Sequence, residues 1–120
     1  MPDVEAFVQD TLSELDADDC DLRWVFDLVR RASPGASYDE IRRSTLRVLG
    51  ELLDRGLAEP HLVGETFRTA DPSESALEQI RHGWDRFGEH LTMGEVAYFT
   101  ITPTGEAAVR SSSRSRSDPA

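Results

Sequence analysis

The sequence contains no lysine, so all 13 of its basic residues are arginine. Its single cysteine, Cys20, excludes a disulfide within the chain and is typical of a protein that folds in a reducing compartment. No segment approaches the ~18 consecutive apolar residues that a transmembrane helix requires. The first five residues are acidic and lack the basic region of a signal peptide. We therefore expect a cytoplasmic protein with no membrane partner.

Positive charge is also scarce, because 23 acidic residues give the 120-residue chain a net charge of −10. The tail, 111–120, holds two arginines and one aspartate, so taking its +1 away from −10 leaves −11 for residues 1–110. A field of this sign attracts cationic partners and repels polyanions. We place one globular domain at 1–110 and predict that the Ser/Arg tail, 111–120, is disordered.

The spacing of apolar residues predicts three helices in the N-terminal half of the chain. The first is expected at Asp3–Leu15 and the second near Leu22–Ala32. The third is expected over residues 37–55, since Ser37 and Glu40 have the spacing of a capping box.

Three later segments favour a small antiparallel sheet. Residues 57–63 form one predicted strand, and Pro60 marks it as an edge strand. Residues 65–69 are expected to pair back against it. Residues 96–101 are rich in aromatic and β-branched side chains and predict a further strand, followed by a helix beginning near Pro103.

A fourth helix is predicted from the sequence "DPSE" at 71–74, with Asp71 as its cap and Pro72 at its first position. Two interpretations of its apolar face remain open. The face either packs into the core, or it contributes Trp84 and Phe87 to a partner surface. Its members recur at helical spacing: Leu77, Ile80, Trp84, Phe87 and Leu91.

Two segments carry a resemblance to a known fold: "LGELLDRGLAEP" at 49–60 and "YFTITPTGEAAV" at 98–109. With the order of helices, they resemble the winged helix-turn-helix domains of PadR- and MarR-type regulators over about half of the chain. The resemblance implies an α+β, winged-helix-like fold with three N-terminal helices and a small antiparallel sheet. The interval from 63 to 96 is longer than a wing hairpin and holds one inserted amphipathic helix.

The same resemblance implies a way of binding DNA, in which a dimer places the third helix of each subunit in the major groove. By position, the candidate contacts are Arg42, Arg43 and Arg47 in the helix and Arg68 in the wing. The acidic residues of the third helix argue against this use. Asp39, Glu40, Glu51 and Asp54 share the solvent face with Arg43 and Arg47.

Spacings of three and four residues on that face predict ion pairs that cancel its charge. The expected pairs are Asp39–Arg43, Glu40–Arg43, Arg47–Glu51 and Glu51–Arg55. A DNA reader needs guanidinium groups that are free to neutralise several phosphates. The third helix is therefore predicted to be a solvated helix, with too few free arginines for a DNA footprint.

The acidic segment "DADDCD" at 16–21 is predicted to be a loop between the first two helices. Its acids form a candidate docking surface for a basic partner: Asp16, Asp18, Asp19 and Asp21. A calcium loop is disfavoured, because Asp21 stands where such a loop needs glycine and Asp27 stands where it needs glutamate.

No catalytic motif is recognisable, and we expect no metal and no cofactor. His82, Asp85 and Glu89 have near-helical spacing but lack a second histidine or a cysteine. The sequence favours a non-catalytic acidic winged-helix module that binds a protein partner, in a regulatory or inhibitory, immunity-like role. The alternative is a sequence-specific DNA-binding transcriptional regulator acting as a dimer, and a homodimer is compatible with both.

Overall fold

The three N-terminal helices lie where their apolar spacing predicts them. A computed structural model describes residues 3–92 and 94–117 of the chain, with side chains as far as Ser111. The helices are α1 (Val4–Ala17), α2 (Leu22–Ala32) and α3 (Tyr38–Asp54).

Side-chain caps fix where two of these helices begin. The carboxylate of Asp3 accepts a hydrogen bond from the backbone N–H of Glu5 at 3.1 Å. The hydroxyl of Ser37 accepts one from the backbone N–H of Glu40 at 3.2 Å and donates to the Glu40 carboxylate at 3.1 Å. The predicted N-cap of α3 is thus confirmed, although Glu40 accepts from the hydroxyl of Ser37 and not from its backbone N–H, as a complete capping box requires.

The sheet has three antiparallel strands in the order β1-β3-β2. They are β1 (Cys20–Asp21), β2 (Ala58–Leu62) and β3 (Ala97–Ile101). Both later strands were predicted, and Pro60 lies on the edge strand β2 as expected. The prediction missed β1, which was expected to be loop, because two residues are too few to show a strand pattern.

The strand predicted at 65–69 is wrong. These residues belong to a short helix, α4 (Gly64–Thr69), in which the Thr69 hydroxyl donates to the carbonyl of Glu65 at 2.7 Å. Gly64, with φ of +55°, turns the chain out of β2. The pairing partner of β2 is β3, which lies far later in the sequence.

The fourth predicted helix exists, but its predicted cap is wrong. Asp71 accepts hydrogen bonds from the backbone N–H of Ser73 at 2.9 Å and from its hydroxyl at 2.7 Å, which makes a local turn. The helix α5 (Ala76–Asp85) begins four residues after Pro72, the first helical position that the sequence predicts. Its cap is Ser75, whose hydroxyl accepts from the backbone N–H of Glu78 at 3.2 Å.

A single core joins α5 to the other elements. Ile80 and Trp84 of α5 have no exposed surface, and neither do Leu49 and Leu52 of α3. Phe99 of the central strand is 1% exposed and belongs to the same cluster. The described residues thus form a mixed α and β fold whose inserted helix is part of the core.

The C-terminal helix α6 (Pro103–Ser117) continues past the boundary predicted at residue 110. Its first turn is capped by Thr102, whose hydroxyl accepts from the N–H of Gly105 at 3.0 Å. No glycine or proline interrupts the chain between Gly105 and Pro119. The backbone of the predicted tail is helical as far as Ser117, residues 118–120 lie outside the described residues, and the domain limit stays a prediction.

Two glycine-to-alanine substitutions in helices should change stability in opposite directions. At Gly105 an added Cβ would lie inside van der Waals contact with the carbonyl of Leu57 and 2.8 Å from Cγ1 of Ile101. We expect Gly105→Ala to lower the free energy of unfolding by about 1–3 kcal/mol. At Gly50 the Cβ would meet only Cδ2 of Leu77, at 3.5 Å, so Gly50→Ala should raise it by up to ~1 kcal/mol. Urea unfolding of both variants measures the two shifts, and a gain for Gly105→Ala would contradict the packing of α6.

Candidate functional site

Arg42 does not present its charge for binding, because it packs between α3 and α5. Its guanidinium is 2.5 Å from the carboxylate of Asp85 and donates to the carbonyl of Arg81 at 3.3 Å. The guanidinium carbon also lies 5.2 Å from the ring centre of Trp84. Only 23% of the Arg42 side chain is exposed. This candidate DNA contact therefore serves to attach α5.

Arg68, the candidate wing contact, lies on α4 and pairs with Glu65 one turn earlier at 3.1 Å. Its side chain is 71% exposed, so the pair is solvated and weak. Since the predicted hairpin is a helix here, Arg68 does not occupy the tip of a wing.

Arg43 and Arg47 are both exposed on α3. In the part of the chain that the structure describes, no ion pair or hydrogen bond engages either guanidinium. Of the four ion pairs predicted on this helix, only Glu51–Arg55 comes within 4.0 Å. The predicted cancellation is therefore wrong, because spacing permits an ion pair but a flexible exposed side chain forms it at almost no gain.

These two arginines border a groove of about 630 Å³ between α3 and the turn that follows α2. Its other side is largely small or apolar and includes Ala32, Pro34 and Ala36. A second groove, of about 390 Å³, runs along the opposite side of the same arginines. Arg43 and Arg47 therefore form a ridge between two shallow grooves.

Trp84 is not part of an exposed partner surface. It has no exposed area, and its ring packs edge-on against Phe26 and Tyr38, with centroid distances of 5.7 and 6.5 Å. Phe87 is partly buried against the same core. The core interpretation of this apolar stripe is therefore the correct one, because α5 lies against the helices and does not project from them.

The sequence prediction missed an exposed aromatic on the inserted segment. Phe67 of α4 is 70% exposed. On the open face of the sheet, the rings of His61 and Tyr98 stack with centroids 4.7 Å apart. The sequence pattern did not reveal the exposure of Phe67, because it predicts a strand at 65–69 where the structure has a helix.

The acidic segment divides into exposed and structural aspartates. Asp16, Asp18 and Asp19 are exposed, and within the described residues none of them makes an ion pair. Asp21 instead caps α2 through the N–H of Arg23 and holds the N–H of Gly94 at 2.7 Å. Burial raises the pKa of Asp21 above its usual value, while these two N–H groups lower it.

The exposed aspartates lie at an end of α1 where negative charge is unfavourable. The C-terminus of a helix carries a partial negative charge, and the last turn of α1 contains no basic residue. With Glu14 nearby, these acids repel one another and the helix end. They form the acidic surface, which we define as Asp16, Asp18 and Asp19.

The described ranges contain no cluster of side chains suited to binding a metal ion. No group of three or more histidine, cysteine, aspartate or glutamate side chains is placed to hold a metal ion there. His82 is turned toward Glu74, 3.1 Å away, and its predicted neighbour Asp85 is paired with Arg42. Among the same residues, no helix is long and apolar enough to cross a membrane.

Comparison of the chain with protein-family models, with curated protein sequences and with solved structures finds no match in any of the three.

The Arg42–Asp85 ion pair should contribute measurably to the attachment of α5. In a double-mutant cycle with Arg42→Gln and Asp85→Asn, we expect a coupling of about 1 kcal/mol in the free energy of unfolding. The exposed Arg68–Glu65 pair is the matched control, with an expected coupling below about 0.5 kcal/mol. Equal couplings for the two pairs would show that Arg42 is as solvated as Arg68.

The thiol of Cys20 should be unreactive in the folded protein. Cys20 is 1% exposed, and burial, with a smaller contribution from Glu14 and the neighbouring aspartates, raises its pKa to about 12. Because only the thiolate reacts, labelling with a disulfide reagent at mildly alkaline pH should be at least ~100-fold slower than for the unfolded chain. The rate in denaturant is the control, and comparable rates would contradict the burial of β1.

Proposed function

We propose that the protein is a non-catalytic, winged-helix-like module that binds another protein and does not read DNA. Support for the winged-helix interpretation comes from the three N-terminal helices followed by β2 and β3, which pair as the two strands of a wing would. The inserted helices α4 and α5 stand between those strands. A scaffold of this kind does not by itself specify a ligand, so its surface charges decide which class of partner it favours.

One observation carries the proposal: of the four arginines at the candidate DNA positions, Arg42 is withdrawn from the surface and Arg68 lies beside an acidic neighbour. Arg42 pairs with Asp85 and Arg68 pairs with Glu65. The remaining two, Arg43 and Arg47, are flanked on α3 by Asp39, Glu40, Glu51 and Asp54. A DNA-binding surface neutralises several phosphates, and two guanidiniums among four carboxylates do not supply that charge.

The acidic surface favours a partner with basic side chains. Its three aspartates repel each other and the negative end of α1, and a cationic partner would relieve both effects. Such a contact fits a regulatory or inhibitory, immunity-like role, in which an acidic protein covers the basic site of another. Electrostatic attraction would also accelerate the encounter.

The second candidate function is the DNA-binding regulator acting as a dimer. The observation that favours it is that Arg43 and Arg47 are exposed and lack ion-pair partners among the described residues. This function requires the guanidiniums of Arg43 and Arg47 to contact phosphates or bases despite the neighbouring carboxylates.

Two measurements separate these candidates. We expect no salt-sensitive binding to a fluorescent mixed-sequence duplex at low salt, and we expect affinity capture to retain a basic protein. Capture should be lost in Asp16→Asn/Asp18→Asn/Asp19→Asn, because the attracting charge is removed. The matched control Glu59→Gln/Glu65→Gln/Glu89→Gln removes the same charge elsewhere and should keep the partner. Tight DNA binding that is lost in Arg43→Glu/Arg47→Glu would overturn the proposal.

A further inference from the structure

The four charged residues that line one groove along α3 are sorted by sign along the helix, whereas Asp39 and Glu40 in its first turn lie outside this lining. Arg43 and Arg47 lie nearer the N-terminus of the helix, and Glu51 and Asp54 lie nearer its C-terminus. At 100° per residue these four positions fall within one stripe about 80° wide. All four line the same groove of about 390 Å³, so they share one surface. We call this surface the α3 face.

These charges are not neutralised within the molecule. In the described part of the chain, Arg43, Arg47 and Asp54 have no ion pair, and Glu51 has only Arg55 at 4.0 Å, the limit of an ion-pair contact. Arg55 is held more closely by Glu5, at 2.8 Å. The α3 face therefore presents a basic half and an acidic half, each available to a partner.

The surroundings of the charges suit the close approach of another helix. The groove is also lined by Val4 of α1, by Leu46 and Gly50 of α3 and by Leu77 of α5. Gly50 has no side chain and lies midway along the stripe, where two helices crossing each other come nearest. An apolar floor with flanking charges is the usual composition of a protein interface.

We propose that the α3 face binds a second copy of this chain, with the two α3 helices antiparallel across a two-fold axis between Leu46 and Gly50. In this arrangement Arg43 lies opposite Asp54 of the partner subunit. Arg47 lies opposite Glu51 of the partner subunit. The two-fold axis repeats both contacts, so four ion pairs form from one self-complementary surface.

The sorting of charge argues for a second copy over an unrelated partner. A strongly basic or strongly acidic partner would match one half of the face and repel the other half. A parallel pair of α3 helices would place like charges opposite each other. Only an antiparallel copy has the basic and acidic ends of this face in the complementary order, and the stretch from Arg43 to Asp54 gives a contact length of ~17 Å.

This inference goes beyond the proposed function and does not depend on it. The acidic surface lies at the C-terminal end of α1, whereas the α3 face includes Val4 at the start of that helix, so the acidic surface is left outside the pairing of α3 faces. A dimer of this kind would turn both α3 helices toward each other, so neither could enter a DNA groove. Loss of the dimer would leave the proposal about the acidic surface unaffected.

Charge-reversed variants test the pairing by sedimentation equilibrium across a range of protein concentrations. We expect the wild type to dimerise, and we expect Arg43→Glu/Arg47→Glu and Glu51→Arg/Asp54→Arg each to weaken dimerisation by at least ~100-fold. An equimolar mixture of the two variants should form a 1:1 heterodimer, because an all-acidic α3 face then meets an all-basic one. The matched control Arg68→Glu/Arg81→Glu makes the same charge change elsewhere and should dimerise as the wild type does.

The results that would overturn the proposal are equally specific. They are a monomeric wild type at every concentration, a dimer that persists in both charge-reversed variants, or a mixture that stays monomeric. Circular dichroism and thermal unfolding show whether each variant is folded.

Gly50→Gln provides an uncharged second test, since added bulk at the crossing point should weaken the dimer at least ~10-fold without altering any ion pair. A dimer of unchanged affinity in this variant would contradict the predicted crossing point.

Discussion

The contact between Trp84 and α3 is the constraint on which the rest of the structure depends. The indole ring has no exposed area and packs edge-on against Phe26 of α2 and Tyr38 of α3. Arg42 of α3 lies over the indole ring and also pairs with Asp85, the residue that follows Trp84 in α5. A tryptophan buries about 200 Å² of surface, so its contacts supply enough energy to fix α5 in place. The long connection between β2 and β3 is therefore built into the domain.

This attachment determines which charges remain for partners. It withdraws Arg42 from the surface, while the separate Arg68–Glu65 pair lies exposed on α4. What is left is an exposed acidic surface at the end of α1 and an α3 face that is basic at one half and acidic at the other. Both features disfavour a polyanionic ligand, and each is suited to a protein contact.

Local signals in the sequence predicted local structure well and failed where distant residues decide the outcome. The capping-box spacing of Ser37 and Glu40 locates the start of α3 correctly, because cap and helix lie within four residues. At 71–78 the sequence holds two successive caps, Asp71 and Ser75, and only packing selects the second. The pairs Arg42–Asp85 and β2–β3 join residues about forty positions apart, so no spacing reveals them. For this reason two of the candidate site residues have structural roles: Trp84 lies in the core, and Arg42 packs over its ring.

Native-state hydrogen exchange of α5 tests most directly whether the inserted helix belongs to the core. We expect the amides from Ile80 to Trp84 to exchange with nearly the same opening free energy as those of Val48 and Leu49 in α3, since all of them belong to one cooperative unit. The contrary result would be exchange of the α5 amides at rates close to those of the exposed turn at Pro34 and Gly35. A helix α5 that opens independently of α3 would release Arg42, and the charge distribution inferred for the surface would no longer hold.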